Sequence, residues 1–85
     1  MNRLTRFELT TTAVKDYVKA PAEVRRAFDK QTRFLVNDLQ HPSLNAKKYD
    51  EFNGVWQARV NRAWRFYFTI ADDTYVIHKI IPHPK

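Results

Sequence analysis

The sequence predicts an α+β fold of order β-α-α-β-β-β, a helical hairpin packed on a small, mainly antiparallel twisted sheet. Apolar residues recur at helical spacing in two stretches between Thr10 and Gln40. They alternate at strand spacing in three stretches between Val55 and Ile81. The linkers are short: Ala20-Pro21 between the helices, Asn61-Arg62-Ala63 and Asp72-Asp73 between the strands. At 85 residues the chain suits one domain, 1–85.

Leu4 to Leu9 reads as a first strand, with Leu4 and Arg6 alternating against Thr5 and Phe7. Any of Thr10, Thr11 and Thr12 can cap the helix that follows. Ala13, Val14, Tyr17 and Val18 mark its packing face. Ala20-Pro21 ends it, because the residue before a proline disfavours the α region. Pro21 suits the first turn of the next helix. That helix presents Val24, Phe28, Gln31, Leu35 and Leu39, flanked by Ala27 and Phe34, and is expected to reach about Gln40, before His41-Pro42. Ser43 to Asn53 reads as a loop anchored by Leu44, Tyr49 and Phe52. Val55–Val60, Trp64–Ala71 and Thr74–Ile81 read as strands.

Composition narrows the function. The formal charge is +6 and the pI about 9.9. Residues 1–43 carry eight Lys/Arg against five Asp/Glu, and residues 44–85 seven against four, so each half is +3. A domain basic throughout suggests a polyanionic partner, nucleic acid first, or an acidic protein. No cysteine is present, which excludes a disulfide scaffold and a thiol nucleophile and fits a reducing cytoplasm. Gly54 is the only glycine, so no glycine-rich phosphate loop can form. No apolar run approaches the roughly 20 residues of a membrane span, and MNRLTRFELT lacks the apolar core of a signal peptide. The expectation is a soluble, cytoplasmic domain without membrane contact.

The stretch Val55–Phe68, VWQARVNRAWRFYF, holds three arginines within seven residues and no acid. The length of its turn decides where they point. A two-residue turn at Arg62-Ala63 would set Arg65 on the apolar face. A three-residue turn at Asn61-Arg62-Ala63 instead pairs Val60 with Trp64, Arg59 with Arg65, Ala58 with Phe66, Gln57 with Tyr67 and Trp56 with Phe68. One face then holds Trp56, Ala58, Val60, Trp64, Phe66, Phe68 and Ile70. The other holds Gln57, Arg59, Arg65, Tyr67 and Thr69. The odd turn is expected because it sorts apolar from polar. For the second hairpin, a two-residue turn at Asp72-Asp73 pairs Tyr67 with His78 and puts His78, Val76 and Ile80 on the arginine face; an odd loop would send His78 inward. Like charges paired across strands are unfavourable. An anionic ligand can neutralise Arg59 and Arg65, or an acid such as Asp38, Asp50 or Glu51 can.

The pattern Gly54-x-Trp56-x-x-Arg59-Val60-x-x-x-x-Arg65, then Asp72-Asp73, an apolar strand and a terminal His83, resembles the RelE/ParE superfamily of bacterial toxin–antitoxin toxins. The resemblance spans nearly the whole chain, is specific from about Leu44 onward, and is nearest to the RelE/YoeB branch. It implies a metal-independent, cofactor-free endoribonuclease that cuts mRNA on the ribosome and is silenced by a cognate antitoxin. It implies that Arg59 and Arg65 contact the scissile phosphate, that His83 is a catalytic C-terminal histidine, and that Lys47 and Lys48 act on substrate from the loop. Tyr67 and His78 are further candidates for substrate binding. Two positions depart from the YoeB pattern: Pro84 stands where a catalytic tyrosine is expected and Ala46 near the place of a loop glutamate. These keep open a ParE-like inhibitor of DNA gyrase, and a member that only binds its antitoxin.

Overall fold

The computed structural model describes residues 6–83. Its elements are β1 (Arg6–Leu9), α1 (Thr11–Lys19), α2 (Ala22–Asn37), a 3-10 turn (Pro42–Leu44), β2 (Lys47–Asp50), β3 (Val55–Arg59), β4 (Trp64–Ala71) and β5 (Thr74–Pro82). The strands form one sheet in the order β1-β5-β4-β3-β2. Only β1 and β5 are parallel. The expected α+β class and helical hairpin are present. The expected loop from Ser43 to Asn53 instead contains the edge strand β2. Leu44 is its one buried anchor; Tyr49 is 61% exposed and Phe52 95%. Leu4 and Thr5 of the expected first strand, and Pro84, lie outside the described residues.

Thr10 caps α1, its hydroxyl accepting from the Ala13 N–H at 3.2 Å. The packing face of α1 differs from the expected one. Ala13 and Ala20 are buried, while Val14 and Val18 are 47% and 67% exposed. The reason lies in β5. β1 pairs with it only as far as Ile77, which leaves later backbone groups without a strand partner. The Thr10 N–H donates to the Ile77 carbonyl at 3.0 Å, and the Asp16 carboxylate accepts from the Ile80 N–H at 3.0 Å. Docking Asp16 on the strand selects the face Ala13–Asp16–Tyr17–Ala20 and turns both valines outward.

α2 buries Val24, Phe28, Gln31, Thr32 and Leu35. It stops at Asn37, short of the expected Gln40, because Asp38 leaves the helix with φ −162°. The Asp38 side chain accepts from the Gln40 N–H at 3.0 Å, a local turn that competes with helix. Phe28 meets Phe66 edge-on, ring centroids 5.3 Å apart, in a core continued by Leu35, Leu44, Phe68, Ile77 and Ile80. Burying a phenylalanine of this kind contributes roughly 1.5–3 kcal/mol.

The β3–β4 pairs are Trp56↔Phe68, Gln57↔Tyr67, Ala58↔Phe66 and Arg59↔Arg65, the register of the odd turn. Val60 N–H donates to the Trp64 carbonyl at 3.0 Å, and the Asn61 carboxamide oxygen accepts from Ala63 and Trp64 N–H, each at 2.9 Å. The second turn is the two-residue Asp72-Asp73, between paired Ala71 and Thr74. β5 then carries a bulge: Phe68 pairs with Ile77 but Tyr67 with Lys79, so His78 is the extra residue. The expected Tyr67–His78 pair is therefore replaced by Tyr67–Lys79. Ile80, expected beside the arginines, is 2% exposed in the core. The extra residue reverses strand phase after Ile77, which is why Ile77 and Ile80 both face the helices.

Candidate functional site

The sheet face away from the helices is organised in rows set by the ladders. Lys47, Gln57, Tyr67 and Lys79 form one row across β2, β3, β4 and β5. Arg59, Arg65 and Ile81 form the next, towards the β3–β4 turn. The pairing thus brings Arg59 and Arg65 side by side and adds Lys47 one row away. Lys48 does not join them. It pairs with Trp56 on the helix side, with its Nζ 5.2 Å from the indole centroid.

Arg59 is exposed while its backbone is held. Its carbonyl accepts from the carboxamide of buried Gln31 at 2.8 Å, and the same group donates to the Ser43 carbonyl at 3.0 Å. Arg65 Nη1 donates to the carbonyls of Asn61 (2.9 Å), Trp64 (3.0 Å) and, more weakly, Arg62 (3.3 Å). This clamps one edge of the guanidinium to the turn, while Nη2 and Nε have no protein partner among the described residues. Burial first, and then the positive charge of Arg59, hold the Arg65 guanidinium below its ordinary pKa, offset in part by Tyr67. It remains a cation, as arginine does in proteins.

No acid among the described residues neutralises the pair. Among the described residues the one ion pair is Arg6–Glu8, at 4.0 Å. Asp50 is occupied by Asn53, whose side-chain and backbone N–H groups hold its carboxyl below the usual range. Asp38 is occupied by its own turn. What the arrangement offers is an anion site, two cations fixed from behind and open in front.

Three more predicted residues fall around this centre. His83 is exposed, and its N–H donates to the Ala63 carbonyl at 2.7 Å, tying the end of the described chain to the β3–β4 turn. His83 follows the last residue of β5, two residues beyond Ile81, the partner of Arg65. Tyr67 is buried, its phenol oxygen accepting from Gln57 Nε2 at 2.9 Å. His78 reaches the same face through the bulge, its Nε2 2.8 Å from the Thr69 hydroxyl. His41, by contrast, is structural: its ring stacks on Phe34 at 3.8 Å, and its Nδ1 accepts from the Ser43 N–H. Among the described residues no three His, Cys, Asp or Glu side chains gather as metal ligands, and no helix is long and apolar enough to cross a membrane.

Sequence reasoning missed Lys79 and Tyr49. Lys79 lies out of phase for an unbroken strand, and its Nζ sits 5.3 Å from the Tyr67 ring centroid. Tyr49 stands edge-on to Tyr67 at 4.9 Å, in a strand that had read as loop. Neither carries a local sequence signal, because the bulges that bring them to this face appear only once the strands are paired.

No protein-family model and no curated protein sequence matches the chain. Solved structures do. The YoeB dimer from Staphylococcus aureus matches with a TM-score of 0.78 at 14% identity, over 95% of this chain and 99% of that one. The archaeal RelE–RelB complex from Pyrococcus horikoshii OT3 matches with a TM-score of 0.75 at 18% identity, over 93% and 94%. The DinJ–YafQ toxin–antitoxin complex from E. coli matches with a TM-score of 0.74 at 15% identity, over 93% of each chain. The architecture is that of a RelE-like toxin. At these identities the likeness is one of fold, shared with the RelE, YoeB and YafQ chains over more than nine-tenths of each.

Proposed function

We propose that this chain is the toxin of a type II toxin–antitoxin pair and cleaves mRNA on the ribosome without a metal. The observation that carries the reading is the Arg59–Arg65 pair, like charges opposed across a ladder with no acid among the described residues to neutralise them. Such a pair is unfavourable alone and favourable around a phosphate. The fold shared with RelE, YoeB and YafQ supports it.

In the proposed reaction the ribose 2′-OH attacks the adjacent phosphorus, the P–O5′ bond breaks, and a 2′,3′-cyclic phosphate and a 5′-OH result. One group takes the 2′-OH proton and another protonates the 5′-oxygen. Arg59 and Arg65 bind the non-bridging oxygens as charge builds on them. His83 supplies one proton-transfer group beside Arg65, and Lys47 holds the neighbouring backbone phosphate. A cognate antitoxin with an acidic segment would cover the same basic face. The chain works in the cytoplasm, as a single domain.

One observation favours a reading without cleavage, either ParE-like inhibition of DNA gyrase or antitoxin binding alone. Ala46, near the place of the expected loop glutamate, packs on the core and offers no carboxylate. Induction of the chain in cells, with mRNA 5′ ends, translation and supercoiling followed together, separates the readings. New mRNA ends that vanish in Arg65→Ala are expected. Arrested replication with intact mRNA would overturn the nuclease.

A further inference from the structure

The sheet departs from a regular ladder in two places, and both extra residues line the same cavity. Tyr49 is extra between the pairs Lys48↔Trp56 and Asp50↔Val55, and His78 between Phe68↔Ile77 and Tyr67↔Lys79. A bulge forfeits ladder hydrogen bonds and re-aims a side chain. Here both re-aimed rings border a cavity of about 390 Å³ on the arginine face, with Val55, Tyr67, Thr69 and Lys79. That volume lies within the roughly 300–1,000 Å³ of small-molecule sites.

We propose that this cavity receives one unpaired nucleobase of the RNA whose phosphate lies on Arg59 and Arg65. The inference rests on the nuclease reading for the identity of the polymer, and on the cavity itself for the base. Tyr49 is 61% exposed, and its ring meets Tyr67 edge-on at 4.9 Å, an open aromatic wall on which a base can stack. His78 is oriented by the 2.8 Å bond from Nε2 to Thr69, and its Nδ1 has no protein partner among the described residues. The Lys79 ammonium, 5.3 Å from the Tyr67 ring centroid, supplies donors, and Asp50 lies at the rim, each carboxylate oxygen already accepting from Asn53 and keeping a second lone pair. Stacking surface with donors and acceptors at its edge is the recognition chemistry of a base, and a plain apolar ligand would leave those polar groups unused. Tyr67 lies two residues along β4 from Arg65, about 7 Å at strand rise, which sets base and phosphate within a nucleotide of each other.

The test is binding of the purified protein to a ribotrinucleotide, 2′-O-methylated to block cleavage, and to the same trinucleotide with its central base removed. Loss of the base is expected to weaken binding roughly 5- to 150-fold, the worth of one base–aromatic stack. Tyr49→Ala, a rim substitution that leaves the core intact, is expected to erase the difference, and His78→Ala to reduce it. Arg65→Ala should weaken both ligands alike. Equal affinity for the two trinucleotides in the wild type overturns the inference, even if mRNA is cut in cells. A base-dependent difference that Tyr49→Ala removes upholds the pocket, even if no mRNA is cut and the nuclease reading falls.

Discussion

The β3–β4 and β4–β5 hairpins share a strand and differ by one residue. In the first, every pair from Trp56↔Phe68 to Arg59↔Arg65 follows without a break. In the second, the ladder runs from Ala71↔Thr74 to Phe68↔Ile77, skips His78, and resumes at Tyr67↔Lys79. The regular hairpin presents the paired arginines. The interrupted one brings His78 and Lys79 to the same side of the strand, beside Tyr67. A regular ladder holds charges opposite each other, and a bulge builds concavity next to them.

The comparison is broken most directly by deletion. Removing Gln57 from β3 leaves strand alternation unable to keep both Trp56 and Arg59 on their faces. Turning Arg59 onto the core costs several kcal/mol for the buried ion, a large share of the roughly 5–15 kcal/mol of a whole domain. The variant is expected to lose cooperative thermal unfolding. Removing His78 leaves Tyr67↔Lys79 and Phe68↔Ile77 as adjacent pairs and keeps Ile80 in the core. It should fold, losing the Thr69 contact at about 1 kcal/mol and hence about 4–8 °C of melting temperature. If both deletions unfold, the bulge is part of the core's register and the contrast between the hairpins fails.

The same contrast explains what could be read from the residues. Arg59 opposite Arg65 was legible because the period of two is unbroken from Trp56 to Phe68, and Asn61 suits the odd turn. Ile80 is illegible in the sequence because apolar Val76, Ile77, Ile80 and Ile81, on either side of His78-Lys79, fit either phase, and nothing there announces an inserted residue. The sequence groups Lys48 with Lys47 because β2 reads as loop. Once a strand is paired, adjacent lysines must face opposite ways. The exposed Val14 and Val18 were unreadable locally, because the Asp16–Ile80 hydrogen bond that turns α1 spans most of the chain.

Gln31→Leu tests how the regular hairpin is anchored. The carboxamide bonds the Arg59 and Ser43 carbonyls and accepts from the Ser43 hydroxyl, and it is 2% exposed. Leucine fills the space but leaves those groups without partners, at roughly 1–3 kcal/mol. Denaturant titration should show a lower midpoint with an unchanged slope. An unchanged midpoint would mean that Arg59 is positioned by the ladder alone. Asn61→Ala removes the acceptor of two turn N–H groups. It should cost about 1 kcal/mol, and in the amide spectrum the changes should be confined to the Asn61–Trp64 turn.

The smallest expected effect lies at high pH, in the interrupted hairpin. Tyr75 of β5 is buried edge-on to Phe68 at 5.5 Å, and burial first, then the negative charge of Asp38, push its phenol above the ordinary value. The unfolded chain releases that proton near pH 10, while the folded chain still holds it. The folded state therefore binds more protons in that window, and stability falls as pH rises. The contribution is complete below about pH 10 and is lost as pH climbs through the raised folded value. Lysines titrate in the same range, so the informative quantity is the difference between wild type and Tyr75→Phe. The two melting curves should run parallel to about pH 10, after which the wild type should fall the more steeply. Parallel curves throughout would mean that the strand beyond the Asp72-Asp73 turn opens enough to hydrate Tyr75, which would make the second hairpin the looser of the two.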